Sequence, residues 1–433
     1  MYAYLGIGGA VLFISTLIAQ HFLPPPKPIM IGVDLGTTYS CVGIFQPGTG
    51  EVHILKNEEG KKTIPSIVGY VDSEQTLVGH AAERQIHTNP HHTIYDAKRF
   101  IGKTFSQDEL DSMKDLYSFK MISKENNPYF HLTFTSGDVK YLSPEEIGAE
   151  ILRALRFTAE KHLDTRIDKG VMSVPADFNS VQRNHSTIAA NLAGLKISKV
   201  ISEPTAAAMA YGLHQRAGSS YVMVVDIGGG TSDVSLLYAS GPMFATIGMA
   251  GNNRLGGQDF NERLYQYVLT RARDEFNVNE GLLKDYDHQI LRGACEQAKL
   301  TLSTETVTIL NFKLQQNTDN PVEVTFSVTR AQFEEINKDL FDKVLEPVVA
   351  VLEYARLEPG IVDEIVLVGG STRIPRIREL LSEYFGGKEL NTAIDPELAV
   401  CTGVALQAGI QSHSWPLQVA ALETQNNVRK ISL

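Results

Sequence analysis

The fold of this chain is decided by the segment that reads VVDIGGGTSD, from Val224 to Asp233. A run of β-branched residues ends in an aspartate, and three glycines, a threonine, a serine and a second aspartate follow. This pattern predicts a buried strand that enters a tight turn and leaves it as another strand. Glycines let the backbone approach a polyanion and point its N–H groups at it. The turn therefore has the composition of a phosphate-binding loop.

A second segment with the same pattern occurs near the start of the chain, where residues 31–39 read IGVDLGTTY. An aspartate at the end of each strand is suited to hold a metal ion or its waters. Two ordinary glycine hairpins would also satisfy the strand pattern. The shared order, with Asp before Gly and Thr after it, instead favours two similar lobes that grip one nucleotide from both sides.

A third segment, GGSTR at residues 369–373, follows an apolar run at 364–368 and precedes a helical pattern. Paired glycines between a strand and a helix predict a flat backbone surface beside a helix N-terminus. Such a surface suits an adenosine or a ribose better than a triphosphate. Many α/β proteins contain this pattern, so it gains meaning here as the third wall of the same cleft.

Composition limits the classes of function that remain. A length of 433 residues predicts two or three domains, and 43% apolar with 21% charged residues is typical of a globular protein. A net charge of −11 argues against a general binder of nucleic acid or of anionic membranes. Cys41, Cys295 and Cys401 are far apart and lack metal-binding spacing, which predicts free thiols in the core.

Residues 1–28 differ from the rest of the chain. An uncharged apolar run from Leu5 to Ala19 is followed by PPPKP at residues 24–28. The run is short for a membrane span and has the length of a signal-peptide core. We therefore expect a secretory or endoplasmic-reticulum signal, with an uncleaved anchor as the alternative.

The remaining elements alternate strand, strand, helix, strand, helix twice over, which predicts a mixed α/β duplication. The expected divisions are residues 29–215 for lobe I, 216–392 for lobe II, 393–412 for a return to lobe I, and 413–433 for a tail. Ser143 and Glu146 form a capping box that predicts a helix to about Leu163.

The sequence also predicts the local structure of several segments. We expect a proline-bearing turn at 62–66, a short helix at 95–102, and irregular chain at 103–140 with a hairpin near Gly137. Residues 330–357 are expected to form one helix that breaks near Pro347.

Five motifs resemble the stress-70 (seventy-kilodalton heat-shock) chaperone family: DLGTTY at 34–39, DAKR at 96–99, EPTAAAMAY at 203–211, DIGGGT at 226–231 and VLVGGSTRIP at 366–375. The resemblance covers residues 29–412, the nucleotide-binding domain of that family, and is strongest to its microsomal ATPase-core type. It implies a duplicated actin-like ATPase fold, with two lobes around a central nucleotide cleft. It also implies hydrolysis of ATP to ADP with Mg²⁺ and K⁺ at the phosphates, and J-domain proteins or exchange factors as partners.

The resemblance assigns roles to individual residues. The expected catalytic residues are Lys98, Glu203, Asp226, Thr231 and Asp233. Mg²⁺ would be held through waters by Asp34 and Asp226, with Glu203 in its outer shell. The expected nucleotide-binding residues are Gly36, Thr37, Thr38, Tyr39, Gly228, Gly229, Gly230, Glu296, Lys299, Ser303, Gly369, Gly370, Ser371, Arg373 and Glu397.

Two of these roles depend on the resemblance. Judged alone, Lys98 would be a solvated surface charge, and Glu203 could be a helix-capping carboxylate. Within the family pattern, Lys98 orients the attacking water and neutralises developing charge. A lysine is protonated at pH 7 unless strongly desolvated, so we expect this electrostatic role rather than that of a general base.

The adenosine side departs from the family pattern at one position. The family has Glu-x-x-Lys-Arg-x-x-Ser on a lobe II helix, and this chain reads EQAKLTLS from Glu296 to Ser303. Leu300 therefore replaces an arginine that would stack on adenine, and Glu397 stands where the family usually has Asp. We expect retained adenine binding with altered affinity.

After residue 412 the tail is too short for a peptide-binding domain, so we expect hydrolysis that does not depend on peptide. The alternation of Leu417, Val419 and Ala421 predicts an edge strand against lobe I, with a frayed tail as the alternative. Two other functions stay open on the same fold: a small-metabolite kinase, and a nucleotide-gated scaffold or polymer with little turnover.

Overall fold

The computed structural model describes residues 27–86, 88–114, 116–316, 321–412, 422–424 and 430–433. The predicted signal or anchor lies almost wholly outside these ranges. Among the described residues, none of the helices combines the length and the apolar character that crossing a bilayer requires.

The strands, numbered in chain order, are β1 Ile31–Leu35, β2 Tyr39–Gln46, β3 Glu51–Ile54, β4 Thr63–Pro65, β5 Val68–Tyr70, β6 Thr76–Val78, β7 Thr93–Ile94, β8 Lys120–Lys124, β9 Asn127–Thr133, β10 Val139–Leu142, β11 Lys169–Val174, β12 Lys196–Ser202, β13 Ser219–Ile227, β14 Ser232–Ser240, β15 Met243–Asn252, β16 Val307–Leu314, β17 Val322–Thr329, β18 Glu364–Val368, β19 Leu422–Thr424 and β20 Lys430–Ser432.

The α-helices, numbered likewise, are α1 His80–Gln85, α2 Gln107–Asp111, α3 Pro144–Leu163, α4 Ser180–Leu192, α5 Glu203–Ala210, α6 Gly257–Phe276, α7 Asp285–Leu302, α8 Arg330–Ile336, α9 Lys338–Asp342, α10 Glu346–Ala355, α11 Pro375–Tyr384 and α12 Ala399–Gln411. Short 3₁₀ helices lie at Pro90–His92, Ala97–Arg99, Leu213–Gln215, Glu280–Leu282, Pro359–Ile361 and Gly370–Arg373.

Two sheets of the same design form the centre of the molecule. In the lobe I sheet, β1 is parallel to β11 on one side and antiparallel to β2 on the other. In the lobe II sheet, β13 is parallel to β18 on one side and antiparallel to β14 on the other. The Asp-bearing strand thus has the same surroundings in both sheets, which confirms the predicted α/β duplication.

Helices α5 and α12 lie between the two sheets and carry a hydrophobic core that joins them. This core contains Ala206 to Ala208 from α5, Val404 and Ala408 from α12, and residues of both sheets such as Val171 and Val224. A Cβ atom at Gly403 would lie 1.8 Å from the carbonyl oxygen of Ala206, so the two helices touch backbone to backbone. The small residues of α5 therefore set the distance between the sheets.

Several sequence predictions are confirmed. Helix α3 begins at the capping box, in which the Glu146 N–H donates to Ser143 Oγ at 3.2 Å and Glu146 Oε2 accepts from the Ser143 N–H at 2.7 Å. The hairpin near Gly137 joins β9 to β10, and all three cysteines are buried free thiols.

Other predictions were wrong. The segment 62–66 contains strand β4, whose proline lies at the end of a short strand paired with β2. Residues 103–140 contain more regular structure than predicted, namely α2, β8, β9 and the start of β10, whose three strands form one sheet. Residues 95–102 hold only a 3₁₀ turn, because Asp96 before it is left-handed at φ 58°.

The long helix predicted at 330–357 is three helices, α8, α9 and α10. The chain leaves helical geometry at Asn337, while Pro347 lies in the first turn of α10. Proline is tolerated there because first-turn N–H groups have no intrahelical acceptor. Helix α9 ends at Asp342 and α10 begins at Glu346, so the predicted break near Pro347 is confirmed, whereas the interruption at Asn337 was not predicted.

The tail prediction is corrected in part. Residues 417–421, the predicted edge strand, lie outside the described ranges. The two tail strands that are described, β19 and β20, run parallel to β15 at the edge of the lobe II sheet. These two strands were not predicted, and they place their part of the tail on lobe II; the prediction for residues 417–421 stays a prediction.

Candidate active site

A cleft of about 990 Å³ lies between the two sheets. All of the predicted site residues line it except Gly230, which packs behind the turn: a Cβ at Gly256 would lie 2.5 Å from the Gly230 nitrogen. The folding of the chain thus brings together residues that are up to 363 positions apart, from Asp34 to Glu397.

The two glycine turns meet across this cleft. A Cβ at Gly36 would lie 2.0 Å from the Tyr39 carbonyl oxygen, so the first turn closes only with glycine. A Cβ at Gly229 would lie 3.0 Å from Thr38 Cγ2, which places the two turns in contact. Each turn therefore presents its backbone and threonine hydroxyl to the same space.

Both turns are held by hydrogen bonds from outside. Ser66 Oγ donates to the Gly36 carbonyl oxygen at 2.8 Å, which supports the first turn. In the second turn, the Gly228 carbonyl oxygen accepts from Ser371 Oγ at 2.9 Å and from the Gly257 N–H at 3.0 Å. Ser371 belongs to the third glycine segment, so this bond ties the predicted adenosine wall to the phosphate turn.

Buried carboxylates gather below the turns. Burial raises the pKa of Asp34, Glu203 and Asp226, and the negative charges of Glu203, Asp233 and Asp34 raise that of Asp226 further. Lys98 opposes this for Asp34 and Glu203, and its Nζ lies 2.6 Å from Glu203 Oε1. The cluster has more negative than positive charge.

This excess negative charge fits a divalent cation. The described residues contain no group of three His, Cys, Asp or Glu side chains placed to ligate a metal directly. Mg²⁺ prefers to keep its waters and to take one or two carboxylates together with phosphate oxygens. Asp34, Glu203 and Asp226 therefore suit an ion held through water rather than an all-protein cage.

The repulsion between Asp226 and the neighbouring carboxylates leads to a prediction about the stability of the nucleotide-free chain. A carboxyl whose pKa is raised by folding binds its proton more tightly when folded, so its contribution to stability falls as pH rises through the folded pKa. We expect Asp226→Asn to raise the melting temperature of the nucleotide-free chain at pH 7, and the gain to shrink at acidic pH. Thermal melts from pH 4 to 8 measure this, and a lower melting temperature at pH 7 would contradict it.

The structure also adds residues that the sequence did not indicate. Ser173 Oγ donates to Asp34 Oδ1 at 2.8 Å, and Lys430 pairs with Asp233. Lys103 and Asp177 line the same end of the cleft. Of these residues, only Ser173 could have been found from the sequence, because it lies near the end of the buried strand β11. Strand β11 is parallel to β1, and this pairing brings Ser173 beside Asp34.

On the predicted adenosine side, Glu296, Lys299 and Ser303 lie along one face of α7. Lys299 Nζ lies 3.0 Å from Glu296 Oε2 and donates to the Gly257 carbonyl oxygen at 3.2 Å. Arg373 is 40% exposed, pairs with Asp395, and lies 3.9 Å from Glu397 Oε2.

Leu300 lies on the same stretch of α7 and lines the cleft with 48% of its surface exposed. It supplies aliphatic surface where the family pattern has a guanidinium group. The predicted adenosine side of the cleft therefore presents the guanidinium group of Arg373 and the apolar side chain of Leu300.

Comparison with known proteins decides the family. A sequence profile described as Hsp70 protein matches residues 30–424. The chain belongs to the Hsp70 family. Its fold is the actin-like ATPase fold of that family, and Hsp70 proteins bind ATP or ADP with Mg²⁺ and interact with J-domain proteins and exchange factors.

Relatives of two lengths resemble this Hsp70 chain. Heat shock 70 kDa protein 13 of Bos taurus and that of Homo sapiens are each 44% identical, over 97% of this chain and 97% of their own length. Heat shock 70 kDa protein BIP3 of Oryza sativa is 40% identical over 94% of this chain but only 60% of its own length.

Proposed function

We propose that this Hsp70 protein binds ATP with Mg²⁺ in the cleft and hydrolyses it to ADP and phosphate. The observation that carries the proposal is the contact between the two glycine turns above one buried charge cluster. Phosphoryl transfer to water needs little covalent chemistry from the protein, and positioning together with charge neutralisation supplies most of the rate. The cleft contains backbone and hydroxyl groups that can position the phosphates, and charged groups that can neutralise them.

The phosphate end is assigned residue by residue. Backbone N–H groups and hydroxyls of Thr37, Thr38 and Tyr39 bind the β- and γ-phosphates from lobe I, and the turn from Gly228 to Thr231 binds them from lobe II. Mg²⁺, when bound, neutralises charge that develops on the phosphates. K⁺ is proposed from the family resemblance alone.

Lys98 acts through its positive charge and through the fixed position of its ammonium group. Its side chain is 8% exposed and its ammonium group is fixed by Glu203, which is the arrangement of a preorganised cation. Thr231 and Asp233 place the attacking water, since their side chains line the same end of the cleft. Lys98 Nζ is bound to the Glu203 carboxylate, and we assign Lys98 no role as a general base.

The adenosine side gives a prediction about affinity. Replacing Leu300 by arginine restores a guanidinium plane over the cleft, and a partly desolvated cation–π contact contributes about 0.5–2 kcal/mol. We expect Leu300→Arg to tighten ATP binding by roughly 2- to 30-fold. Titration with ATP and with inorganic triphosphate measures this effect.

The matched control is Leu300→Gln, which removes the apolar face without adding a ring partner. Triphosphate affinity should rise far less than ATP affinity in Leu300→Arg. An equal gain for both ligands would show that the arginine acts as a general positive charge, and would contradict stacking on adenine.

We further propose that hydrolysis proceeds without peptide stimulation, in the endoplasmic reticulum, with J-domain proteins or exchange factors as possible regulators. The described residues contain no peptide-binding β-sandwich, and the relatives of similar length are matched over 97% of both chains. The apolar run at residues 5–19 supports the location.

One experiment separates this proposal from its alternatives. The full chain is incubated with γ-labelled ATP alone and with glucose, glycerol or acetate, and the label is followed. Free phosphate with water as acceptor supports an ATPase. Label on an acceptor would favour a kinase, and nucleotide-dependent sedimentation without phosphate release would favour a scaffold.

A further inference from the structure

Lys430 comes from strand β20, and its ammonium group enters the phosphate end of the cleft. Strand β20 runs parallel to β15 with Lys430 opposite Met249, and the Leu433 N–H donates to the Gly251 carbonyl oxygen at 3.1 Å. Ile431 is partly buried against the hydrophobic core of lobe II. Because neighbouring side chains of a strand point to opposite faces, burial of Ile431 directs Lys430 into the cleft.

The ammonium group is held on two sides once it is there. Lys430 Nζ forms an ion pair with Asp233 and donates to Asn253 Oδ1 at 3.1 Å. The lysine side chain is only 14% exposed, whereas that of Asp233 is 34% exposed. From lobe I, Asp177 and Lys103 face the same space. Burial raises the pKa of Asp177, and the charge of Lys430 opposes that rise.

Gly251 makes this path possible. A Cβ atom at Gly251 would lie 2.4 Å from Lys430 Cε and 2.6 Å from Asp233 Oδ1. Gly251 is also the residue opposite Asp233 in the pairing of β14 with β15. A side chain at this position would occupy the space through which the lysine reaches the carboxylate. The absence of a side chain at Gly251 in β15 therefore leaves room for the ion pair between Lys430 and Asp233.

The ion pair between Lys430 and Asp233 lies beside the buried carboxylates of the proposed phosphate site. Asp233 is directly opposite Asp226 in the hairpin, and its negative charge raises the pKa of Asp226 and of Glu203. Lys98 neutralises this group of carboxylates from lobe I, through Glu203. Lys430 neutralises it from lobe II, through Asp233. The carboxylates of this group are thus paired with one cation from each lobe.

We propose that Lys430 is a positioning residue for ATP hydrolysis, which holds the Asp233 carboxylate aimed at the attacking water. This inference rests on the proposed ATPase function. Docking of β20 on β15 thereby becomes part of the active site. Lys430 contributes to the same reaction as Asp34, which lies 396 positions earlier in the chain.

The test uses the full chain and four forms: the unaltered protein, Lys430→Ala, Lys430→Arg and the control Lys313→Ala. Lys313 also contacts a carboxylate, at 3.7 Å from Glu323, but it is 64% exposed and remote from the cleft residues. Single-turnover ATP hydrolysis, ATP affinity and melting temperature are measured for each form.

We expect Lys430→Ala to slow the single turnover by about tenfold, because a loosened carboxylate places the water less often. ATP affinity should change less than threefold, Lys430→Arg should recover most of the rate, and Lys313→Ala should match the unaltered chain. An unchanged or faster rate in Lys430→Ala would overturn the inference, and so would a loss that follows melting temperature and affinity. Absence of hydrolysis by the unaltered chain would overturn the proposed function itself.

Discussion

Replacing Lys98 by alanine is expected to slow single-turnover ATP hydrolysis by about 10²- to 10³-fold, the loss typical of a preorganised charge-stabilising group. Lys98 is the cation that faces Asp34 and Glu203 from lobe I, and its Nζ lies 2.6 Å from Glu203 Oε1. Without it, neither the carboxylates nor the developing charge on phosphate is neutralised from that side. Phosphate release after mixing with ATP measures the effect.

The same change should also lower stability, because it leaves Glu203 without its partner ammonium. Breaking a buried pair costs about 3–5 kcal/mol, and the 21% exposure of Glu203 places the expected loss at or below the lower end. The double variant Lys98→Ala with Glu203→Gln removes the unpaired charge. It should regain thermal stability while remaining inactive.

An exposed lysine–glutamate ion pair with the same N–O distance provides the matched control. Lys161 Nζ also lies 2.6 Å from a glutamate, Glu58, but the two side chains are 61% and 67% exposed. Exposed pairs contribute little to stability, so Lys161→Ala should leave both rate and melting temperature unchanged. A normal rate in Lys98→Ala would remove Lys98 from the mechanism.

The second large effect concerns stability. Gly403→Ala would place a Cβ 1.8 Å from the Ala206 carbonyl oxygen, inside the contact between α12 and α5. Neither atom belongs to a flexible side chain, so the helices must separate. Overpacking costs about 1–3 kcal/mol, and we expect the upper end of this range here. Since α5 begins at Glu203, the separation should also slow hydrolysis.

Gly293→Ala is the control for this change. Gly293 lies within α7, and a Cβ there would have nothing within 4 Å. Alanine in a helix interior is favoured over glycine by about 0.5–1 kcal/mol, so this variant should be slightly more stable. Denaturant unfolding of both variants tests the contrast. Equal stability of Gly403→Ala and the unaltered chain would contradict the tight contact.

The sequence predicted the parts of the site that are encoded locally. Strand, aspartate, glycine and threonine occur together in each turn, so both phosphate loops and the doubled sheet follow from pattern. The contact between Gly229 and Thr38 required the fold, because the two residues are in different lobes. Its existence gives the two patterns a common function.

Other features depend on tertiary contacts that local pattern does not show. Residues 103–140 are polar because their sheet exposes one face, and this polarity indicated irregular chain. Lys430 carries no motif, and only the burial of Ile431 and the absence of a side chain at Gly251 bring it to Asp233. Long-range pairing of an edge strand is thus the part of the site that sequence predicted least well.

The most direct test of the central claim is a single turnover of ATP by the full chain with Mg²⁺, followed through phosphate release with and without a model peptide. We expect all bound ATP to become ADP and phosphate, at one rate that peptide does not change. Tight binding of ATP without any phosphate release would contradict it.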